Sequence, residues 1–119
     1  MGILHGAAAY CCQDKEGQIK ETESISAGLD YPSVSPIHCF LKDTKRARYT
    51  FATDEEALNA YELVTKFEKL NPSLEPSHAF AEAIKIAPKL SNETIIIVNS
   101  CGDAKKDRDI LRERLGKKF

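Results

Sequence analysis

The chain carries no CxxC pair, no HExxH pattern, no glycine cluster, no long apolar run and almost no net charge. Each absence removes a class of function. A membrane-spanning helix needs about 18 or more consecutive apolar residues, and no stretch approaches that. The first ten residues lack the charged start and apolar centre of a signal peptide, so the composition reads as soluble and cytoplasmic, with no membrane partner. Seventeen basic side chains face eighteen acidic ones, a formal charge of -1. Such a balance gives no field to gather nucleic acid, and Lys117-Lys118 is only locally basic. Zinc would need clustered ligands, but Cys11, Cys12, Cys39 and Cys101 stand at no metal-binding spacing from one another or from His5, His38 and His78. The four cysteines therefore read as reduced thiols. The vicinal Cys11-Cys12 pair would point to opposite faces of a strand, one thiol buried and one exposed. Gly2, Gly6, Gly17, Gly28, Gly102 and Gly116 are scattered, so none forms a cradle for phosphate.

What remains is 119 residues, 42% hydrophobic and 29% charged, ordinary material for one globular domain. There is no internal repeat, but the grammar changes near position 46. Residues 1–46 carry Gly28, Pro32 and Pro36 in Ser24-Ile25-Ser26-Ala27-Gly28-Leu29-Asp30-Tyr31-Pro32-Ser33-Val34-Ser35-Pro36, which cannot be one helix or a central strand and reads as an ordered loop. Before it, Ala9 to Gln13 and Gln18 to Thr22 flank Lys15-Glu16-Gly17, a hairpin signal.

Residues 47–119 alternate. Arg48-Tyr49-Thr50-Phe51 has strand chemistry. Thr53-Asp54-Glu55-Glu56 has the capping-box spacing, and Leu58, Tyr61, Val64 with Phe67 or Glu68 continue a helical stripe through Lys69. Asn71-Pro72-Ser73-Leu74-Glu75-Pro76 reads as a short extended link or strand, with Ser77 capping a helix from Ala79 to Ala87 that Pro88 ends. Thr94-Ile95-Ile96-Ile97-Val98, apolar after its first residue, fits a strand buried on both faces of a parallel sheet. Asp107 to Leu115, closed by Gly116, is the last helix.

The order strand, helix, strand, helix, strand, helix predicts an α/β fold, a small, mostly parallel sheet covered by helices in three layers. Ligands gather outside the carboxyl ends of such strands. Those ends are Phe51-Ala52-Thr53, Glu75-Pro76-Ser77 and Ser100-Cys101-Gly102, which brings forward Glu75 with Ser100 or Cys101. A carboxylate at Glu75 is equally a plain contact with the dipole of the next helix.

Gly17-Gln18-Ile19, the string from Ser24 to Val34, Asp54-Glu55-Glu56-Ala57-Leu58 and Leu74-Glu75-Pro76-Ser77-His78-Ala79 together resemble the tryptophan synthase β chain. The likeness runs over positions 3 to 107. It implies a lyase that uses pyridoxal phosphate, held on a lysine as an electron sink, to replace the serine hydroxyl by indole and make L-tryptophan. It also implies a fragment, because the family's reactive lysine, its glutamate for indole attack and its glycine-rich phosphate loop lie upstream. The lysines present here sit on solvated stretches. Met1-Gly2 running straight into the family-like Ile3-Leu4-His5-Gly6 suggests a start inside a longer gene, both segments being parts of one incomplete domain.

By the same resemblance, Glu75 corresponds to a glutamate beside the cofactor ring, and Asp30 to an aspartate that pairs with an upstream arginine when the enzyme closes on substrate. Leu29, Tyr31 and Ser33 correspond to residues whose backbone carbonyls help hold a monovalent cation; side-chain identity matters little there. Where the family reads asparagine, any residue, serine, glycine, arginine, glycine, this chain has Asn99-Ser100-Cys101-Gly102-Asp103-Ala104. The serine that donates to the ring nitrogen thus becomes Cys101, a longer and weaker donor, beside the cofactor-facing Gly102. Ser100 could serve only through a one-residue shift. Asp103 removes a positive charge and Ala104 a glycine.

The implied partners are the rest of the β chain, an α subunit, indole and L-serine. A doubly apolar strand without neighbours also predicts self-association, with a homodimer the cheapest closed form. The alternative to an enzyme segment is a free-standing, non-catalytic interaction module derived from it, and the coding sequence upstream of Met1 separates the two.

Overall fold

The computed structural model describes residues 1–116. The chain divides into two compact units, one of residues 1–24 with 28–50, the other of residues 25–27 with everything from Phe51 onward. The content is α/β: four helices and, among the described residues, one two-stranded antiparallel sheet. Among the described residues no helix is long and apolar enough to cross a membrane.

In the first unit, β1 (Gly2–Leu4) pairs with β2 (Ala7–Ala9) in the register Gly2↔Ala9, Ile3↔Ala8, Leu4↔Ala7. Both turn residues, His5 and Gly6, have positive φ, 49° and 78°. Left-handed conformations at both central positions match the twist of the flanking strands, so a His-Gly pair closes a hairpin that sequence reading did not foresee. The predicted second hairpin is present as a short ladder: Asp14 N donates to Gln18 O at 2.9 Å and Lys20 N to Cys12 O at 2.9 Å. Its turn is held by Asp14 Oδ1, which accepts from Glu16 N at 3.0 Å and Gln18 N at 2.8 Å, an aspartate mimicking a backbone turn. The segment from Ser24 is irregular, with a single 3-10 turn at Ala27–Leu29.

The loop expected through Pro36 gives way to a helix, α1 (Pro36–Asp43). The cue was local. Ser35 Oγ accepts from Ile37 N at 3.2 Å and Pro36 occupies the first helical position, where its missing N–H is no loss and its φ is already helical. Cys39 on α1 and Ala9 on β2 are both buried.

The second unit is organised by α2 (Asp54–Glu68) and α3 (Leu74–Ile86), which pack on each other. The capping box is made in both directions: Glu56 N donates to Thr53 Oγ1 at 3.2 Å and Thr53 N to Glu56 Oε2 at 2.8 Å. Lys85, near the end of α3, reaches Glu56 at the start of α2 at 2.6 Å, so the helices run antiparallel. A 3-10 turn at Ala87–Lys89 follows α3, and another at Ala104–Asp107 leads into α4 (Arg108–Leu115). Gly116 ends α4 at φ 63°, its N–H returning to Arg112 O, the left-handed stop expected of a glycine there. Ile25, Ala57, Tyr61, Leu74, Ala104 and Leu111 form the core, with Leu58, Ile110 and Leu115 against it.

Two expectations are corrected here. Ser77 does not cap α3; the helix begins at Leu74, three residues earlier, and the Ser77 hydroxyl donates to Ser73 O at 2.8 Å from inside it. Pro76 does not forbid this, because the first turn has amide hydrogens to spare. Nor is there a three-layer parallel sheet among the described residues. Arg48 to Phe51 is in no strand, Pro72 makes one antiparallel bridge to Asp103, and Thr94 to Val98 is in no sheet. Far from being buried on both faces, Ile95 is 85% and Ile97 90% exposed. The physical reason is the ladder itself: a central strand is buried by neighbours on both edges and covers on both faces, and the described residues offer none.

Candidate functional site

The one place where several of the expected site residues meet is the start of α3. The antiparallel bridge between Pro72 and Asp103, with Ala104 N donating to Asn71 O at 3.3 Å, lays the chain before α3 beside the turn before α4. Across it the buried Ser73 hydroxyl donates to Cys101 O at 3.1 Å. Gly102 follows at φ +86°, and a Cβ there would stand 2.7 Å from Ser73 Oγ. Only glycine meets both the left-handed backbone and the close approach.

Ser73 spends its hydroxyl on Cys101 and so leaves the helix uncapped by its own side chain. Asp107 takes over from 33 residues downstream: its Oδ2 accepts from Leu74 N at 2.9 Å, a buried bond. Its carboxylate at the positive end of α3 has both a donor and the helix dipole to offset its desolvation. Lys106 completes the arrangement, with Nζ 2.9 Å from Asp107 Oδ1 and 2.8 Å from Glu75 Oε1. Burial pulls the Lys106 ammonium towards neutrality, but its hydrogen bonds to Glu75 and Asp107 and their charges outweigh this. Its pKa is raised above 10.5. Lys106 thus bridges the carboxyl groups of Glu75 and Asp107, and Ser100 and Cys101 are exposed.

Glu75, Cys101 and Gly102 therefore fall within one hydrogen-bonded frame. Glu75 does lie in the first turn of α3, as a dipole contact would have it, and is also paired to Lys106. Ser73, Lys106 and Asp107 were missed by sequence reasoning. Asp107 was read only as a helix start, and nothing local marks a cap that serves a different helix.

The remaining expected residues belong to the first unit. Asp30 is exposed and lines a shallow depression of about 380 Å³ with Lys20, Glu21 and Thr22. Leu29 O accepts from Tyr31 N at 3.1 Å, and the Tyr31 hydroxyl lies 2.5 Å from His5 Nδ1. Ser33 Oγ donates to Tyr10 O at 3.2 Å and accepts from Cys11 Sγ at 3.3 Å. Cys11 is half-buried and Cys12 exposed, and all four cysteines are free thiols. Among the described residues no three His, Cys, Asp or Glu side chains gather as a metal site.

No protein-family model matches the chain. Curated proteins do. The tryptophan synthase beta chain of Bordetella petrii is 49% identical over 119 residues, all of this chain and 30% of that protein. That of Cereibacter sphaeroides is 51% identical over 115 residues, 97% of this chain and 28% of the relative. The chain matches a C-terminal segment of the tryptophan synthase β chain. A third tryptophan synthase beta chain, from Bordetella parapertussis, is 47% identical over 116 residues, 98% of this chain and 29% of that protein. The chain thus spans just under a third of the length of these relatives.

Proposed function

We propose that this chain is the C-terminal segment of a pyridoxal-phosphate lyase that condenses indole with L-serine to give L-tryptophan, and that it supplies the ring-nitrogen edge of the cofactor site. The observation that carries the reading is the frame at the start of α3, which draws Glu75, Cys101 and Gly102 together across 25 residues of intervening sequence. The donor set fits that edge of the cofactor: an exposed thiol on a backbone pinned by Ser73, a glycine without room for a side chain, and a carboxylate fixed by Lys106. It does not fit the phosphate or the aldehyde, for which there is no glycine cluster and no lysine in that frame beyond the paired Lys106.

The cofactor supplies an electron sink for the amino-acid carbanion. This chain's residues orient and tune. Cys101 Sγ–H would face the ring nitrogen as a weak donor, holding a proton there less firmly than a hydroxyl. Lys106, itself held by Asp107, would hold the Glu75 carboxyl in place beside the ring. Asp30 would pair with an arginine from elsewhere in the β chain as the enzyme closes, and the carbonyls of Leu29, Tyr31 and Ser33 would hold a monovalent cation. An α subunit, a homodimeric β pair and a cytoplasmic setting complete the proposal.

The test joins this chain to the remaining part of the Bordetella petrii relative. Cys101→Ser should keep or raise turnover, Cys101→Ala should lower it about fivefold, the worth of one neutral hydrogen bond of about 1 kcal/mol, and Ser100→Ala should be silent. Harm from Ser100→Ala with none from Cys101→Ala overturns the assignment. By itself the 119-residue chain should make no tryptophan and develop no visible cofactor absorbance. The second reading, a non-catalytic interaction module, is favoured by the exposed Ile95 and Ile97; it predicts that the joined protein is as inactive as the chain alone.

A further inference from the structure

A serine at the head of a helix ordinarily uses its hydroxyl oxygen to accept from an amide of the first turn. Ser73 stands at that position, with φ -68° and ψ 170°, and makes no such bond. Its hydrogen goes across the bridge to Cys101 O at 3.1 Å. The first turn of α3 is served instead by Asp107, whose Oδ2 takes the Leu74 amide at 2.9 Å. Ser73 itself is locked. It is 1% exposed, its carbonyl accepts from Ser77 N at 3.2 Å and from the Ser77 hydroxyl at 2.8 Å, and the next residue, Leu74, is wholly buried in the core. The Cys101 turn is anchored downstream by the buried Ala104, whose N–H reaches Asn71 O at 3.3 Å. Upstream, residues 95–100 lie in no helix or strand, so at that end the turn depends on Ser73.

We propose that Ser73 is a positioning residue for the Cys101 thiol: by holding the carbonyl of Cys101 against the rigid start of α3, it fixes where Sγ is presented to the ring nitrogen of the cofactor. The part that concerns the ring rests on the proposed function; the pinning of the turn does not. Functional groups must be held within about 0.5 Å and about 10–20° of their working geometry by neighbours that are themselves locked. A thiol, being a weak donor, has little to lose to misalignment. Cys101 is exposed, so its place is set through its backbone rather than by packing. Gly102 lets the two segments close up, since a Cβ there would stand 2.7 Å from Ser73 Oγ and 3.3 Å from Ser73 Cβ. Because Ser73 bonds the main chain, the pin does not depend on which side chain position 101 carries. Pin and donor can therefore be removed one at a time. A residue that acts through Cys101 also has a ceiling, for its loss costs no more than loss of the thiol itself.

The experiment has two arms. In the 119-residue chain, amide relaxation should give order parameters at Cys101 and Gly102 of about 0.85 in the wild type and below about 0.6 in Ser73→Ala. Helical circular dichroism should be unchanged, since Asp107 still serves α3. In the protein joined to the remainder of the Bordetella petrii relative, Ser73→Ala should lower turnover about two- to fivefold, no further than Cys101→Ala does. It should also shift the absorbance maximum of the bound cofactor in the same direction as Cys101→Ala. In a Cys101→Ala background the same Ser73→Ala should change neither, because there is no donor left to place. Equal losses in both backgrounds, a loss larger than that of Cys101→Ala, or an absorbance maximum that only Cys101→Ala moves would overturn the inference. So would unchanged order parameters, or a Ser73→Ala chain that loses helical circular dichroism, for the serine would then hold the fold and not the turn. A silent Cys101→Ala beside a turn loosened by Ser73→Ala would sink the proposed function and leave the pin standing.

Discussion

The two units are held together by different forces. Among the described residues the first unit buries only Ala9 and Cys39. Its long-range ties are polar and exposed: Tyr10 hydroxyl to Asp43 Oδ1 at 2.7 Å, Tyr31 to His5, and His38 Nδ1 to the Tyr49 hydroxyl at 2.9 Å. Meanwhile Ile3, Ile37 and Phe40 stand in water. The second unit buries Tyr61, Leu74 and Leu111 completely or nearly so. A net hydrogen bond contributes about 0.5–1.5 kcal/mol, and less when exposed, whereas a fully buried large apolar side chain contributes about 1.5–3 kcal/mol. The second unit should therefore unfold as one cooperative body, and the first should open piecemeal at low cost. Similar raw material yields a core in one place and a stitched surface in the other, because only the second has two amphipathic helices facing each other.

That contrast can be broken or sharpened by substitution. The largest effect belongs to Leu111→Ala, a fully buried core truncation of about 2–5 kcal/mol; urea unfolding followed by helical circular dichroism should lose that much, while amide exchange in β1 and β2 stays as it was. Gly102→Ala comes next at about 1–3 kcal/mol, from strain at φ +86° and the approach to Ser73 Oγ. The double variant with Ser73→Ala should recover part of the loss, and a purely additive cycle would remove the close approach from the account. Lys106→Met should cost about 1 kcal/mol, the worth of its charged bonds discounted for a half-exposed ammonium. Because the folded pKa of Lys106 is raised above 10.5, its contribution is fully present below that value and fades as pH rises through the folded pKa. Smallest is the acid response of Glu56, whose carboxyl is held below 4.5 by the Lys85 ammonium and then by the Thr53 amide. Its support is present above pH 4.5 and disappears as pH falls through the lowered value. An acid titration of helicity should show a step that Glu56→Gln abolishes.

Legibility in the sequence followed the range of the interaction. The start of α2 was readable because Thr53 and Glu56 are three residues apart and cap the helix between themselves. The end of α4 was readable because Gly116 acts on its own helix. The start of α3 was placed at Ala79, five residues too late, because its cap, Asp107, comes from another element, and because Ser77 looks like a cap and is not one. The run from Thr94 to Val98 was read as a buried strand and is neither in a strand nor buried here, since pairing and burial depend on strands that no local pattern contains. For the candidate site, Glu75 and Cys101 stood out by resemblance, whereas Lys106, which ties Glu75 to Asp107, looks like any surface lysine.

The bare, extended run at 94–98 also decides where a protease would act. Peptidases bind their substrates as extended strands, and an unpaired segment with free backbone groups needs no local unfolding to enter such a cleft. A thermolysin-like enzyme that cuts before large apolar residues would nick between Thr94 and Val98 ahead of any site in α2 or α3. The two pieces would not separate at once, because Leu111 remains packed with Leu74 and Tyr61, and Asp107 remains bonded to Leu74 N. Digestion would therefore leave a cut chain that still behaves as one particle in native buffer and falls into two bands only in denaturant.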